Sequence, residues 1–152
     1  MSRSGYDVCI CNFNEVNLYR GNVDRALAGK RGQAFLKEML RAMDAMPEKR
    51  LISHAMEVTE PYPKNDERVG DVCALGSVAK ARGIDMSRID ALIESGDDDE
   101  VGRIVAKRFS IAEPMAREIM DANDDELGLE TPEQRFVRMR AWIQKQIREA
   151  AE

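Results

Sequence analysis

Few side chains in this 152-residue sequence are of the kinds that make and break bonds. His54 is the only histidine, and Cys9, Cys11 and Cys73 are the only thiols. A metal centre needs several convergent ligands, and these four would be the only soft set available. Their spacing fits no zinc module. They read as ordinary thiols and a surface or core histidine, and neither a metal nor a cofactor is expected. A Cys73–His54 dyad is conceivable if a hairpin joins the two positions, but no third group orients the base. With acid–base and nucleophile sets missing, a non-enzymatic protein is expected.

Three further patterns suggest binding. The turn Gly29, Lys30, Arg31, Gly32 places glycines and cations before a helix, where an anion can sit. It is not a P-loop, because Arg31 follows the lysine in place of Ser or Thr and the preceding element reads as helix. It is read as a turn with a solvated basic rim, an anion or acidic-partner contact being the alternative. Asp121, Asn123 and Asp125 resemble the start of a calcium loop. The sixth and twelfth places of that loop hold Glu126 and Pro132 instead of glycine and a bidentate glutamate, so it reads as a charged loop. Residues 101–119 have the spacing of a helix-turn-helix, with Ser110 and Ile111 at the turn. Its second helix and exit carry Glu113, Glu118, Asp121, Asp124 and Asp125 against Arg117 alone. A phosphate field would repel them, so a nucleic-acid partner is disfavoured and a plain helical hairpin preferred.

The strongest signal is electrostatic. Between Glu94 and Glu126 stand eleven acidic and four basic residues, a local balance of −7. The candidate partner-binding set is Asp97, Asp98, Asp99, Glu100, Glu113, Glu118, Asp121, Asp124, Asp125 and Glu126. Like charges this dense oppose compaction, which suggests a surface that meets a positive counterpart. A secondary basic and aromatic face on the last helix comprises Arg135, Arg138, Trp142 and Lys145. It is either a binding face or, preferably, basic stems packed over a half-buried indole.

The elements that must position these residues are helical. Apolar spacing predicts helices from about Val16 to Ala28, over 33–46 with the stripe Phe35, Leu36, Met39, Leu40, Met43 and Met46, and from about Ala74 to Gly83. Asp85 is expected to cap the next helix, which Gly96 stops; Asp97–Asp99 cap another. Ser110 is expected to cap a helix reaching about Ala122. Thr131, Pro132 and Gln134 form a capping-box start for the last. Residues 51–58 and 69–75 remain open between helices and a hairpin closed by the loop 60–68. The expected fold is mainly α: one compact domain of about six helices over 1–152, with 1–12 irregular and room for one small β-hairpin.

Size and composition agree with a single globular domain, with 43% hydrophobic and 34% charged residues. An odd count of three cysteines and no signal-peptide pattern suggest a reducing cytoplasm. No apolar run approaches the roughly 18 residues of a membrane helix, so no membrane partner is expected. The net charge of −5 argues against a general nucleic-acid coat.

The segments RGQAFLKEML (31–40), GDVCALG (70–76), ARGIDM (81–86) and ETPEQRFVRMRAWI (130–143) together resemble a family of small bacteriophage and prophage proteins. The resemblance runs from about Arg20 onward. It implies a phage or prophage origin and a bacterial host cytoplasm, and it brings no catalytic residues. The expectation is a non-enzymatic, anti-CRISPR-like module that inhibits or modulates a host defence protein, docking its acidic surface on the partner's basic one. A DNA-binding regulator using 101–119 is one alternative. A phage structural or assembly protein, homo-oligomeric through the Met-rich helix 33–46, is the other.

Overall fold

The computed structural model describes residues 13–64, 66–124 and 129–148, and side chains from Asn17 onward. Cys9 and Cys11 therefore lie outside the described residues, as do Asp125 and Glu126. The described chain forms seven helices: α1 (Phe13–Ala28), α2 (Lys30–Asp44), α3 (Ala74–Arg82), α4 (Ser87–Ser95), α5 (Asp98–Phe109), α6 (Glu113–Asn123) and α7 (Pro132–Gln146). The mainly α expectation holds, with one helix more than expected.

Local chemistry sets most of the boundaries. α3 and α4 end at Gly83 and Gly96, whose left-handed backbones (φ 73° and 80°) turn the chain without a Cβ penalty. At the start of α7, Thr131 accepts from Gln134 N while the Gln134 side chain accepts from Thr131 N, a complete capping box. Two caps differ from expectation. Asp85 does bond the Ser87 amide, at 2.9 Å, but the residue flanking α4 is Met86. Ser110 ends α5 in a left-handed conformation (φ 56°) and does not start α6, which begins after Ala112 with no side-chain cap.

α6 lies at the centre, packed against α1, α3, α5 and α7. Its inner face, Met115, Ala116 and Ile119, is buried. α2 packs on α1, α3 and α7 and buries Phe35, Leu36, Met39 and Met43. The methionines proposed as an oligomer seam are thus largely spent inside the domain, with Met46 half-buried. One aromatic cluster ties three helices together. Phe35 and Phe109 meet edge to face at 5.7 Å, and the Arg82 guanidinium lies over both rings, at 5.7 and 5.8 Å.

Arg82 also makes a two-pronged pair with Glu38, at 2.7 and 2.6 Å. That bonding holds the Glu38 carboxyl below its ordinary range. A depressed carboxyl contributes stability above its unfolded pKa, and the contribution disappears as pH falls through the lower folded value. Both side chains are one-third exposed, so the contribution is only about 0.5 kcal/mol. Denaturation of wild type and Glu38→Gln at a series of pH values should show a constant gap near neutrality that closes in acid. A gap that widens in acid would contradict this pairing.

Between α2 and α3 runs a long segment without regular structure, yet Leu51, Ile52, Met56 and Val58 are all buried. The hairpin option reduces to one antiparallel bridge, Glu57 with Val72. Side chains from elsewhere satisfy much of the backbone that a longer ladder would use. Asp90 takes the Met56 and Glu57 amides at 2.6 and 3.3 Å. Buried Asn123 donates to Ile52 O at 2.9 Å and accepts from Ala74 N at 3.0 Å. Arg135 donates to Leu51 O at 3.0 Å. Buried backbone groups need partners of some kind; here helix side chains supply some, and main-chain bonds from Ile52 N to Val72 O, Val58 N to Asp71 O, Gly70 N to Val58 O and Cys73 N to Met56 O supply others.

Candidate acidic interaction surface

The acidic sequence block divides in the fold. Its outward part is the corner where α4 meets α5. α4 ends in Glu94 and Ser95, Gly96 turns the chain, and Asp97 accepts from Glu100 N at 3.2 Å to cap α5. Asp98, Asp99 and Glu100 fill the first turn, where the helix dipole favours negative charge. Glu94, Asp97, Asp98 and Asp99 are all exposed, with the Asp99 side chain 81% accessible. Among the described residues, Glu94, Asp97 and Asp98 have no ion-pair partner.

Arg117 supports this corner from below. Its buried guanidinium reaches from α6 to the Asp98 and Asp99 carbonyls, at 3.4 and 3.0 Å. It pairs with Glu113 at 2.8 Å and lies 3.5 Å from the Asp99 carboxylate. Gly102 makes the space: a Cβ there would come within 2.7 Å of the Arg117 guanidinium carbon. The exposed pair Glu100–Arg103, at 2.8 Å, closes the outer edge.

Other described members of the block are less exposed. Glu118 pairs with Arg20 of α1 at 2.8 Å, and its side chain is only 17% exposed. Asp121 is half-buried. Asp124 has a largely covered side chain, which accepts from His54 N at 3.0 Å, with the His54 ring nitrogen 3.4 Å away. Of the ten residues expected to face a partner, the structure groups Asp97, Asp98 and Asp99 on one exposed corner, with Glu100 beside them. It places Glu113 and Glu118 with arginines of the chain itself, and Asp124 against His54. Glu94 joins the corner although it was not among the ten.

The secondary face is likewise drawn inward. Arg135 is buried, bonded to Leu51 O and 3.4 Å from Glu130. Arg138 grips Glu130 with two bonds of 2.6 and 2.9 Å and donates to the Ala122 and Asn123 carbonyls. Trp142 is half-buried against the core, leaving Lys145 exposed. These groups fasten the end of α6 and the approach to α7 and do not form an open basic surface.

The other candidates are also located. Cys73 is fully enclosed at the head of α3, its sulfur accepting from Gly76 N at 3.2 Å. Burial pushes its thiol up to about 12, so no reactive thiolate forms near neutrality. His54 is exposed with a left-handed backbone (φ 61°) held by Asp124. α6, the would-be recognition helix, is buried or half-buried along its whole length. Its partly accessible positions include Glu113, Glu118 and Asp121, carboxylates that a phosphate field repels. Among the described residues, no helix is long and apolar enough to cross a membrane.

Arg117, Asn123 and Arg50, which organise the loops, do not stand out in the sequence. A lone arginine between Ala116 and Glu118 reads as surface charge, and its role depends on carbonyls 18 and 19 residues away. Comparison with protein-family models, curated proteins and solved structures finds no match.

Proposed function

We propose that this chain is a non-enzymatic binding module whose α4–α5 corner docks on a positively charged, nucleic-acid-binding surface of a host protein. The carrying observation is the group Glu94, Asp97, Asp98 and Asp99, exposed at one helix junction that Arg117 braces from below. Phage-encoded inhibitors of host defence proteins are the class suggested by the sequence resemblance. Fixed carboxylates at one corner steer a basic partner into contact and make association sensitive to salt.

The test is Glu94→Gln combined with Asp97→Asn, Asp98→Asn and Asp99→Asn. Asparagine caps as well as aspartate, so unfolding free energy should stay within about 0.5 kcal/mol of wild type. Association with a basic nucleic-acid-binding host protein, followed by surface plasmon resonance at low salt, should slow by about tenfold or more. Asp124 is left intact, because it holds His54 in place. Equal association rates for wild type and the fourfold variant across salt concentrations would defeat the proposal.

A further inference from the structure

At the opposite end of α5 from the acidic corner lies a cavity of about 280 Å³ with the reverse electrostatics. It forms where the α1–α2 turn meets the α5–α6 turn. Lys30 and Arg31 are cations of its lining, Ala26, Ile111 and Met115 its apolar part, and Arg25 lies at its edge with its guanidinium turned to Asn22. Among the described residues, no carboxylate lines it.

Nearby carboxylates on the adjoining helices are engaged elsewhere. Asp24 and Glu118 pair with Arg20, and Glu113 pairs with Arg117. Arg25 bonds Asn22, whereas Lys30 and Arg31 are exposed and make no ion pair among the described residues. Lys107 and Arg108, also exposed, add positive charge in the last turn of α5 leading to this junction. Neighbouring like charges that no carboxylate of the described residues offsets repel one another, and an incoming anion relieves that repulsion.

We infer that this cavity binds a small organic phosphate. A guanidinium fork and an ammonium suit phosphate oxygens. The volume is just under the range of about 300–1,000 Å³ usual for small-molecule sites, and it suits a compact molecule better than a polymer. The apolar wall takes the part of the ligand that carries no charge. The site is independent of the acidic corner, since the 12 residues of α5 span about 18 Å between them.

Adenosine diphosphate and inorganic pyrophosphate are the probes, titrated by calorimetry into wild type, a Lys30→Gln/Arg31→Gln variant and the acidic-corner variant. Adenosine diphosphate should bind saturably and more tightly than pyrophosphate. Its affinity should fall about tenfold or more in Lys30→Gln/Arg31→Gln and stay unchanged in the acidic-corner variant. Amide shifts on binding should centre on Gly29, Gly32 and Ile111. Four results would each overturn the assignment: no saturable binding of adenosine diphosphate to about 5 mM, equal binding by the lysine–arginine variant, pyrophosphate binding as tightly as the nucleotide, or a single-stranded oligonucleotide binding more tightly than it.

Discussion

Arg50→Ala lowers the unfolding free energy by about 3–5 kcal/mol, a large share of what a domain of this size possesses. Arg50 is 3% exposed. Its guanidinium bonds Asp71 at 2.8 Å, Glu133 at 2.7 Å and the Asp66 carbonyl. It thus joins three places: the start of the irregular segment, the turn before α3 and the first turn of α7. Removing it strands Asp71, whose side chain is 11% exposed and keeps the Arg68 amide at 2.9 Å as a partner. A buried carboxylate without its cation costs far more than a surface pair contributes. Arg103→Ala is the control. Its partner Glu100 lies one helical turn away on an exposed face, and the loss should stay within about 0.5 kcal/mol. Urea denaturation measures both. A loss below about 1 kcal/mol for Arg50→Ala would show that this network does not hold the segment in place.

The second large effect is steric. A Cβ on Gly76 would stand 2.3 Å from the Met56 carbonyl oxygen and 2.9 Å from the Val72 Cβ. The first obstacle is backbone and cannot rotate aside. That same oxygen accepts the Cys73 amide at 3.1 Å, so moving it breaks the joint between α3 and the irregular segment. Gly76→Ala should therefore cost about 3 kcal/mol, although alanine is the better helix former. Gly83→Ala meets nothing within 4 Å and bears only the left-handed backbone penalty, about 1 kcal/mol. Thermal melts of the two variants should rank them in that order. The reverse order would mean that α3 does not approach Met56 this closely.

What the sequence made legible is what local chemistry controls. The α2 stripe, the α7 capping box and the stops at Gly83 and Gly96 depend on neighbours within a turn or two. The central segment was ambiguous because its partners are remote. Asn123 is 71 residues from Ile52 and Arg135 is 84 from Leu51. No periodicity registers an asparagine that replaces a strand. Ser110 misled for a related reason: a serine between two helices is a usual starting residue, but here it closes the first in a left-handed turn. The acidic block was visible as composition, yet linear density overstates surface density. Helices rotate successive carboxylates onto different faces, and Arg20 reaches Glu118 across 98 residues. The corner at Asp97–Asp99 was within reach of sequence reasoning; the inward turn of Glu118 and Asp124 was not.

The fastening of the middle segment from α6 and α7 has a consequence for how the protein comes into being. On the ribosome, residues 47–73 emerge long before the helices that hold them. Ile52 must wait for Asn123 of α6, and Leu51, held by the Pro132 carbonyl and Arg135, until α7 leaves the exit tunnel. Assembly is then gated by a late closure spanning much of the polypeptide, and for a helical protein it proceeds slowly. A nascent chain paused before α7 would be a client for chaperones, whereas one extended through it could close in a single cooperative step.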